Sequence, residues 1–142
     1  MLGRAVFTLW VSDGNDHWIS ATFAFYVRRE VRFTDLNASP EPVRKGARIT
    51  VSGHLARLAY NRSGQARWIP YPGKPVDIYR RPKGSSWMRF HTVASTTTTS
   101  TGYFVRRLTA AAPACFTAFS IETDDLYARE LASKWGDCVD VR

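Results

Sequence analysis

Asn37–Leu55 reads NASPEPVRKGARITVSGHL, and its second half decides the fold class. Ile49, Val51, Gly53 and Leu55 fall on one side of an extended chain, and Thr50, Ser52 and His54 on the other. Period-two alternation with β-branched residues marks a strand with one buried face. Pro40 and Pro42 cannot donate to a ladder, so the residues ahead of that strand belong at a sheet edge or outside the sheet. Lys45-Gly46 closes a tight turn between the two parts, because glycine takes positive φ without a Cβ to clash.

Outward from this stretch the same period recurs. On the N-terminal side, Val31–Leu36 alternates behind a charged joint, Arg28-Arg29-Glu30. Before it, Ala5–Val11 and His17–Val27 alternate around the turn Asp13-Gly14-Asn15-Asp16, which predicts an aromatic-rich β-hairpin. A two-stranded hairpin is marginal alone in water and has to be covered. On the C-terminal side, Ala56–Lys74 predicts a ragged β-excursion, turned at Asn61-Arg62-Ser63-Gly64 and again at Pro70, Pro72 and Gly73. Pro75–Arg81 and Trp87–Val93 then form a hairpin about Pro82-Lys83-Gly84-Ser85. Ser95–Gly102, nearly all Thr and Ser, is a solvated strand or a loop. Tyr103–Leu108, Cys115–Ile121 and Cys138–Val141 complete the strands. Thr123–Trp135 alone has helical character, with Leu126, Arg129, Glu130 and Ala132 near period 3.6 and Gly136 as the stop after one or two turns. Short strands with turn signals every ~8–12 residues, and no βαβ alternation, predict an all-β antiparallel sandwich or barrel.

The chain has 142 residues, which fits one domain or one domain plus a remnant of another, and its 44% hydrophobic and 13% aromatic content is globular and not disordered. No apolar run approaches the ~20 residues that cross a bilayer, so no membrane span is expected. The formal charge is +8, from sixteen Arg and four Lys against twelve acidic residues. GC-rich coding produces such an Arg- and Ala-rich composition with no functional content; an anion-binding surface is the alternative. The charge implies weak, salt-sensitive attraction to polyanions and no specific nucleic-acid partner. Met1–Trp10 has neither a long apolar core nor an A-x-A site, so it does not read as a signal peptide.

Cys115 and Cys138 form an even pair on two predicted strands, which points to a disulfide and an oxidising compartment; two reduced, buried thiols are the alternative. In a Greek-key sandwich the last two strands are neighbours or face each other across the layers, and either places the pair within reach. His17, His54 and His91 lie on separate strands, without H-x-H or H-E-x-x-H spacing. No G-x-S-x-G elbow exists. Asp13, Asn15 and Asp16 lack calcium-loop spacing, and Asp124, Asp125, Asp137 and Asp140 read as a solvated loop and strand ends. These residues imply no catalytic group, metal or cofactor, hence no enzyme. The aromatics Trp68, Tyr71, Tyr79 and Trp87, flanked by Arg81 and Arg89, could stack on sugar rings and bind a cell-wall polymer. The plainer reading puts Trp87 in the core and Trp68 over a loop. Arg80, Arg81, Lys83 and Arg89 then form a solvated basic edge that discourages strand pairing.

Four segments together resemble a known family: NASPEPVRKGARITVSGHLAR (37–57), GKPVDIYRRPKGSSWMRFHTV (73–93), TSTGYFVRRLTA (99–110) and DCVDVR (137–142). They are similar to the immunoglobulin-like modules of secreted proteins from high-GC Gram-positive bacteria, over roughly Val31 to Arg142. The resemblance implies an immunoglobulin-like β-sandwich over residues 30–142, extracellular and non-catalytic, acting as a spacer or as an adhesion and protein-interaction module. Residues 1–29 then look like the last two strands of a preceding module of the same type. The alternative is the opening hairpin of one larger sandwich. An uncovered hairpin would further imply a homodimer through its apolar side.

Overall fold

Ile49, Val51 and Leu55 are buried, and Thr50, Ser52 and His54 alternate with them as partly exposed residues. The computed structural model describes residues 4–26, 30–122, 125–133 and 135–142. The strands are β1 (Arg4–Ser12), β2 (Trp18–Tyr26), β3 (Val31–Ser39), β4 (Arg48–Tyr60), β5 (Ala66–Pro70), β6 (Pro75–Pro82), β7 (His91–Thr97), β8 (Tyr103–Thr109), β9 (Ala114–Glu122), β10 (Asp125–Leu131) and β11 (Asp137–Val139).

Two antiparallel sheets face each other. In the first, β4 is central, with β3 on one side. On its other side, β8 pairs with Arg48–His54 and β5 with Ala56–Tyr60. In the second, the order is β7–β6–β9. β11 pairs with β9 over Ala114–Phe116, and β10 pairs with it over Phe119–Glu122. Pro40 and Pro42 lie where the first sheet's edge strand ends. Without their N–H groups the β3 ladder stops, and the chain crosses to the other layer. There Val43 N donates to Asp140 O at 2.9 Å, and Arg142 N donates to Val43 O at 2.9 Å. Gly46 closes the following turn at φ 85°, as the Lys45-Gly46 reading requires.

The core lies between the layers. Val31, Ala38, Ile49, Val51, Leu55 and Phe104 come from the first sheet, and Val76, Ile78, Phe116, Ala118 and Val139 from the second. Phe33 meets the Phe104 ring edge-on at 5.6 Å. Gly53 interrupts the β-branched run of β4 for a steric reason. It stands opposite Phe104 in the ladder, and a Cβ there would come within 2.8 Å of the Phe104 ring.

Cys115 and Cys138 are joined by a disulfide. They stand directly opposite each other in the β9–β11 ladder, so the bridge links neighbours within one layer. Phe116 and Ala118 point into the core, so Cys115 and Thr117 point to the outer side, yet both are buried. The connection through Ser133 folds over them. Thr117 Oγ1 donates to Ser133 O at 2.7 Å and accepts from Ser133 N at 3.1 Å.

Three segments differ from the sequence expectation or resolve it. Trp87–Arg89 is a 3₁₀ turn capped by Ser86, whose Oγ accepts from Met88 N at 3.3 Å. A serine side chain competing for backbone N–H groups starts a turn where alternation suggested a strand. The return strand therefore begins at His91 and takes in Ser95–Thr97 as solvated strand. Thr123–Trp135 is not helical where described: Arg129, Glu130 and Leu131 pair with Ile121, Ser120 and Phe119. One or two turns of helix cannot stand alone, whereas the open edge of β9 supplies a ladder. The Ala56–Lys74 excursion is a β4–β5 hairpin. Asn61 Oδ1 organises its turn by accepting from Ser63 N at 3.0 Å and Gln65 N at 2.8 Å.

β1 and β2 pair over nine positions as a separate two-stranded sheet. Among their described side chains none joins the core cluster. The turn is held by Asp13, whose Oδ1 accepts from Asn15 N at 2.8 Å and whose Oδ2 lies 3.1 Å from His17 Nδ1. The Asn15 N–H, with a smaller contribution from His17, holds the Asp13 carboxyl below its ordinary pKa.

Two outcomes follow for the sandwich. Gly53→Ala forces the added methyl against Phe104 and should lower unfolding free energy by about 1–3 kcal/mol, read by chemical denaturation. Cys138→Ser opens a link spanning a sequence separation of 23 and should cost about 3 kcal/mol, with reduction of the wild type matching the variant.

Candidate functional surfaces

The aromatic residues singled out in the sequence lie on different sheets. Trp68 belongs to β5, opposite Leu58, and Tyr71 follows it in the first sheet's border. Cations cover both. The Arg32 guanidinium lies 4.1 Å from the Trp68 ring centre, and Arg57 and Lys74 lie 5.6 Å and 4.7 Å from that of Tyr71. Tyr71 is buried. Its backbone links β4 to the loop after β7: Tyr71 N donates to Leu55 O at 3.0 Å, and Tyr71 O accepts from Thr98 Oγ1 at 2.7 Å. The Trp68–Tyr71 region is therefore built as a cation–aromatic cover on the sheet, with the Trp68 ring half-exposed and Tyr71 buried.

Tyr79, Arg81, Trp87 and Arg89 lie on the second sheet and the turn that follows it. Tyr79 is half-buried, edge-on to Phe119 at 5.8 Å. Arg81 stands opposite Cys115, on the outer side, with 6% of its surface exposed. Its Nη1 donates to Ser85 O at 2.7 Å and its Nη2 to Trp135 O at 2.7 Å. The guanidinium lies 5.3 Å from the Phe90 ring centre, and Nε is buried with no hydrogen-bond partner among the described residues. Carbonyl dipoles and a ring face replace a carboxylate as the surroundings of this cation.

This one guanidinium clamps two loops, and both display large apolar side chains. Trp87 and Met88 project from the 3₁₀ turn, and Trp135 from the connection into β11; all three are exposed. Gly136 follows Trp135 at φ 76°, where a Cβ would come within 3.0 Å of the Phe90 ring, so the two loops are in contact. Arg89 is exposed beside them. Trp87 is thus a surface residue and not a core one. The sequence alone does not single out Trp135, because its segment has the spacing of a short helix. Its signal was an indole next to the glycine that stopped the pattern.

The remaining candidates serve the scaffold. Asp137 Oδ2 accepts from Ala38 N at 2.7 Å, tying the two layers. Asp140 Oδ1 lies 2.6 Å from Lys83 Nζ. Asp124 lies outside the described residues. His54 Nδ1 lies 3.4 Å from Asp35 Oδ2 and packs on the Tyr103 ring at 5.2 Å, while His17 contacts Asp13 in the hairpin turn. Among the described residues no three of His, Cys, Asp and Glu gather as metal ligands. An open hollow of about 360 Å³ is lined by Val105, Arg106 and Arg107 on β8, which supply cations but neither a nucleophile nor a base. No helix of the described residues is long and apolar enough to cross a membrane.

No protein-family model matches the chain, and no curated protein matches it.

Arg81 should behave as a structural clamp. Arg81→Met leaves Ser85 O and Trp135 O without their charged donor and should destabilise by on the order of 3 kcal/mol. Arg81→Lys should not restore stability, because a single ammonium cannot reproduce a fork spanning both carbonyls; thermal unfolding of the two variants checks this.

Proposed function

We propose that residues 30–142 form a non-catalytic extracellular module of the immunoglobulin-like type, serving as a spacer or protein-interaction unit. The observation that carries this reading is the strand order. β3, β4 and β8 form one layer, and β6, β9 and β11, with β7 beside β6, form the other. Setting aside β5 and β10, the first, second and fifth strands face the third, sixth and seventh, which supports this reading, while the fourth, β7, lies beside the third where the constant-type order has it beside the fifth. The disulfide is compatible with secretion, because oxidised pairs persist outside the reducing cytosol. The use of Arg81, Asp137, Asp140 and Thr117 in holding segments together also favours a scaffold over a reaction centre.

A second reading, a carbohydrate- or wall-polymer-binding module, is favoured by the two exposed indoles, Trp87 and Trp135, on loops that Arg81 holds together. Flat apolar rings on a rigid support, with Arg89 near by, suit the apolar faces of sugars. The Trp68–Tyr71 cover is the weaker candidate, since Tyr71 is buried and cations already occupy both rings.

The two readings separate in a pull-down on purified cell wall combined with a glycan array. The spacer reading predicts no retention by either. Retention lost on Trp87→Ala and Trp135→Ala, with unfolding temperature unchanged, would instead establish polymer binding. Turnover of ester, peptide or glycoside substrates would overturn both.

A further inference from the structure

The largest unexplained feature lies outside the sandwich. In the β1–β2 ladder, Phe7 opposes Phe23, Leu9 opposes Ala21 and Val11 opposes Ile19. These residues share one face, with Ala5. That face is apolar along its length, and Phe7, Leu9, Val11, Ile19 and Phe23 are 58, 57, 48, 72 and 57% exposed. The opposite face is mixed: Thr8 and Thr22 approach to 3.3 Å between hydroxyls, and Ser12 and Ser20 lie beside Trp10 and Trp18. A two-stranded ribbon with one wholly apolar face is not stable in water without a second layer.

We propose that a second copy of this chain supplies that layer, two β1–β2 sheets stacking face to face as a closed homodimer. Three observations single out this occupant. The first is area. Five side chains exposing roughly 100 Å² each give about 500 Å² per copy, and the pair buries about 1,000 Å², the size at which specific interfaces begin. The second is charge. The protein carries +8 overall, which opposes self-association across most of its surface. Residues 5–12 and 18–26 contain no charged side chain, so two copies meet there without like-charge repulsion. The third is polarity along the ribbon. Asp13 and Asp16 sit at its tip and Arg4 opens the other end. A two-fold arrangement with the ribbons antiparallel sets each acidic tip towards the partner's basic end. Face-to-face stacking also closes on itself, whereas edge pairing would leave a free edge for further copies.

This proposal is independent of the reading of the sandwich. Light scattering and sedimentation velocity on the whole chain at tens of micromolar test it. The expected mass is twice the 16.1 kDa of the chain. Leu9→Glu should give monomer. Ile19→Thr keeps a β-branched residue and so keeps strand propensity; it should weaken the dimer at least ten-fold. Thr22→Glu, on the opposite face, should leave it dimeric. An unchanged far-UV spectrum and an intact disulfide in each variant show that the sandwich persists. A monomeric wild type overturns the proposal and leaves the face to another segment or partner. So does a dimer that ignores Leu9→Glu and Ile19→Thr, a dimer equally sensitive to Thr22→Glu, or a ladder of species growing with concentration.

Discussion

The molecule depends on the burial of one face of β4 against β6 and β9. Ile49, Val51 and Leu55 carry that face, and Val76, Ile78, Phe116 and Ala118 receive it. β4 pairs with three strands, β3, β8 and β5, as β9 does with β6, β10 and β11 in the other layer. A one-residue slip of its register would turn the apolar set outward and the Thr50–Ser52–His54 set inward. Gly53 guards against such a slip, because the Phe104 ring fills the space above it. A ladder and a close packing contact thus fix the same register, and agreement between levels is what gives a sequence one fold.

The alternation that marks β4 was readable because nothing else in the chain competes with it. The same holds for β6, β8 and β9, where period two and flanking Gly or Pro agree. Reading failed where a local signal met a tertiary demand. Leu126, Arg129 and Glu130 have helical spacing, but the exposed edge of β9 recruits their segment as β10. Trp87–Val93 alternates, but Ser86 caps a turn there and delays the strand to His91. The disulfide could be anticipated from two cysteines on strands, yet not its placement within one layer, because strand order is not encoded in spacing. The candidate aromatics illustrate the same limit. Composition found Trp68, Tyr71, Tyr79 and Trp87, but only the folded chain separates them by sheet, buries Tyr71 and adds Trp135.

Arg81 shows how a basic composition is put to structural use. A planar cation with several donors can satisfy carbonyls from two loops at once, where a neutral side chain would reach one. Its cost of burial is offset by those carbonyl dipoles and by the Phe90 ring. The consequence reaches the surface: the loops it clamps hold Trp87 and Trp135 on a fixed support instead of leaving them on mobile tips. Rigid presentation lowers the entropy lost when such side chains are immobilised by a partner.

Several of the described polar groups lie along seams between segments. Asp137 joins layers, Thr117 fastens the cover over the disulfide, and Asp140 holds Lys83 near the β6 end. Beside the second sheet, exposed Trp87, Met88 and Trp135 stand on loops, while its β6–β7 edge carries polar residues such as Asp77, His91 and Ser95; on the hairpin one face is apolar and continuous. Flat apolar surface binds through area and shape complementarity, whereas catalysis needs converging charges in a site shielded from water. The hairpin strands over residues 5–12 and 18–26 are uncharged in a protein of formal charge +8, so contact with another apolar surface meets least electrostatic opposition there.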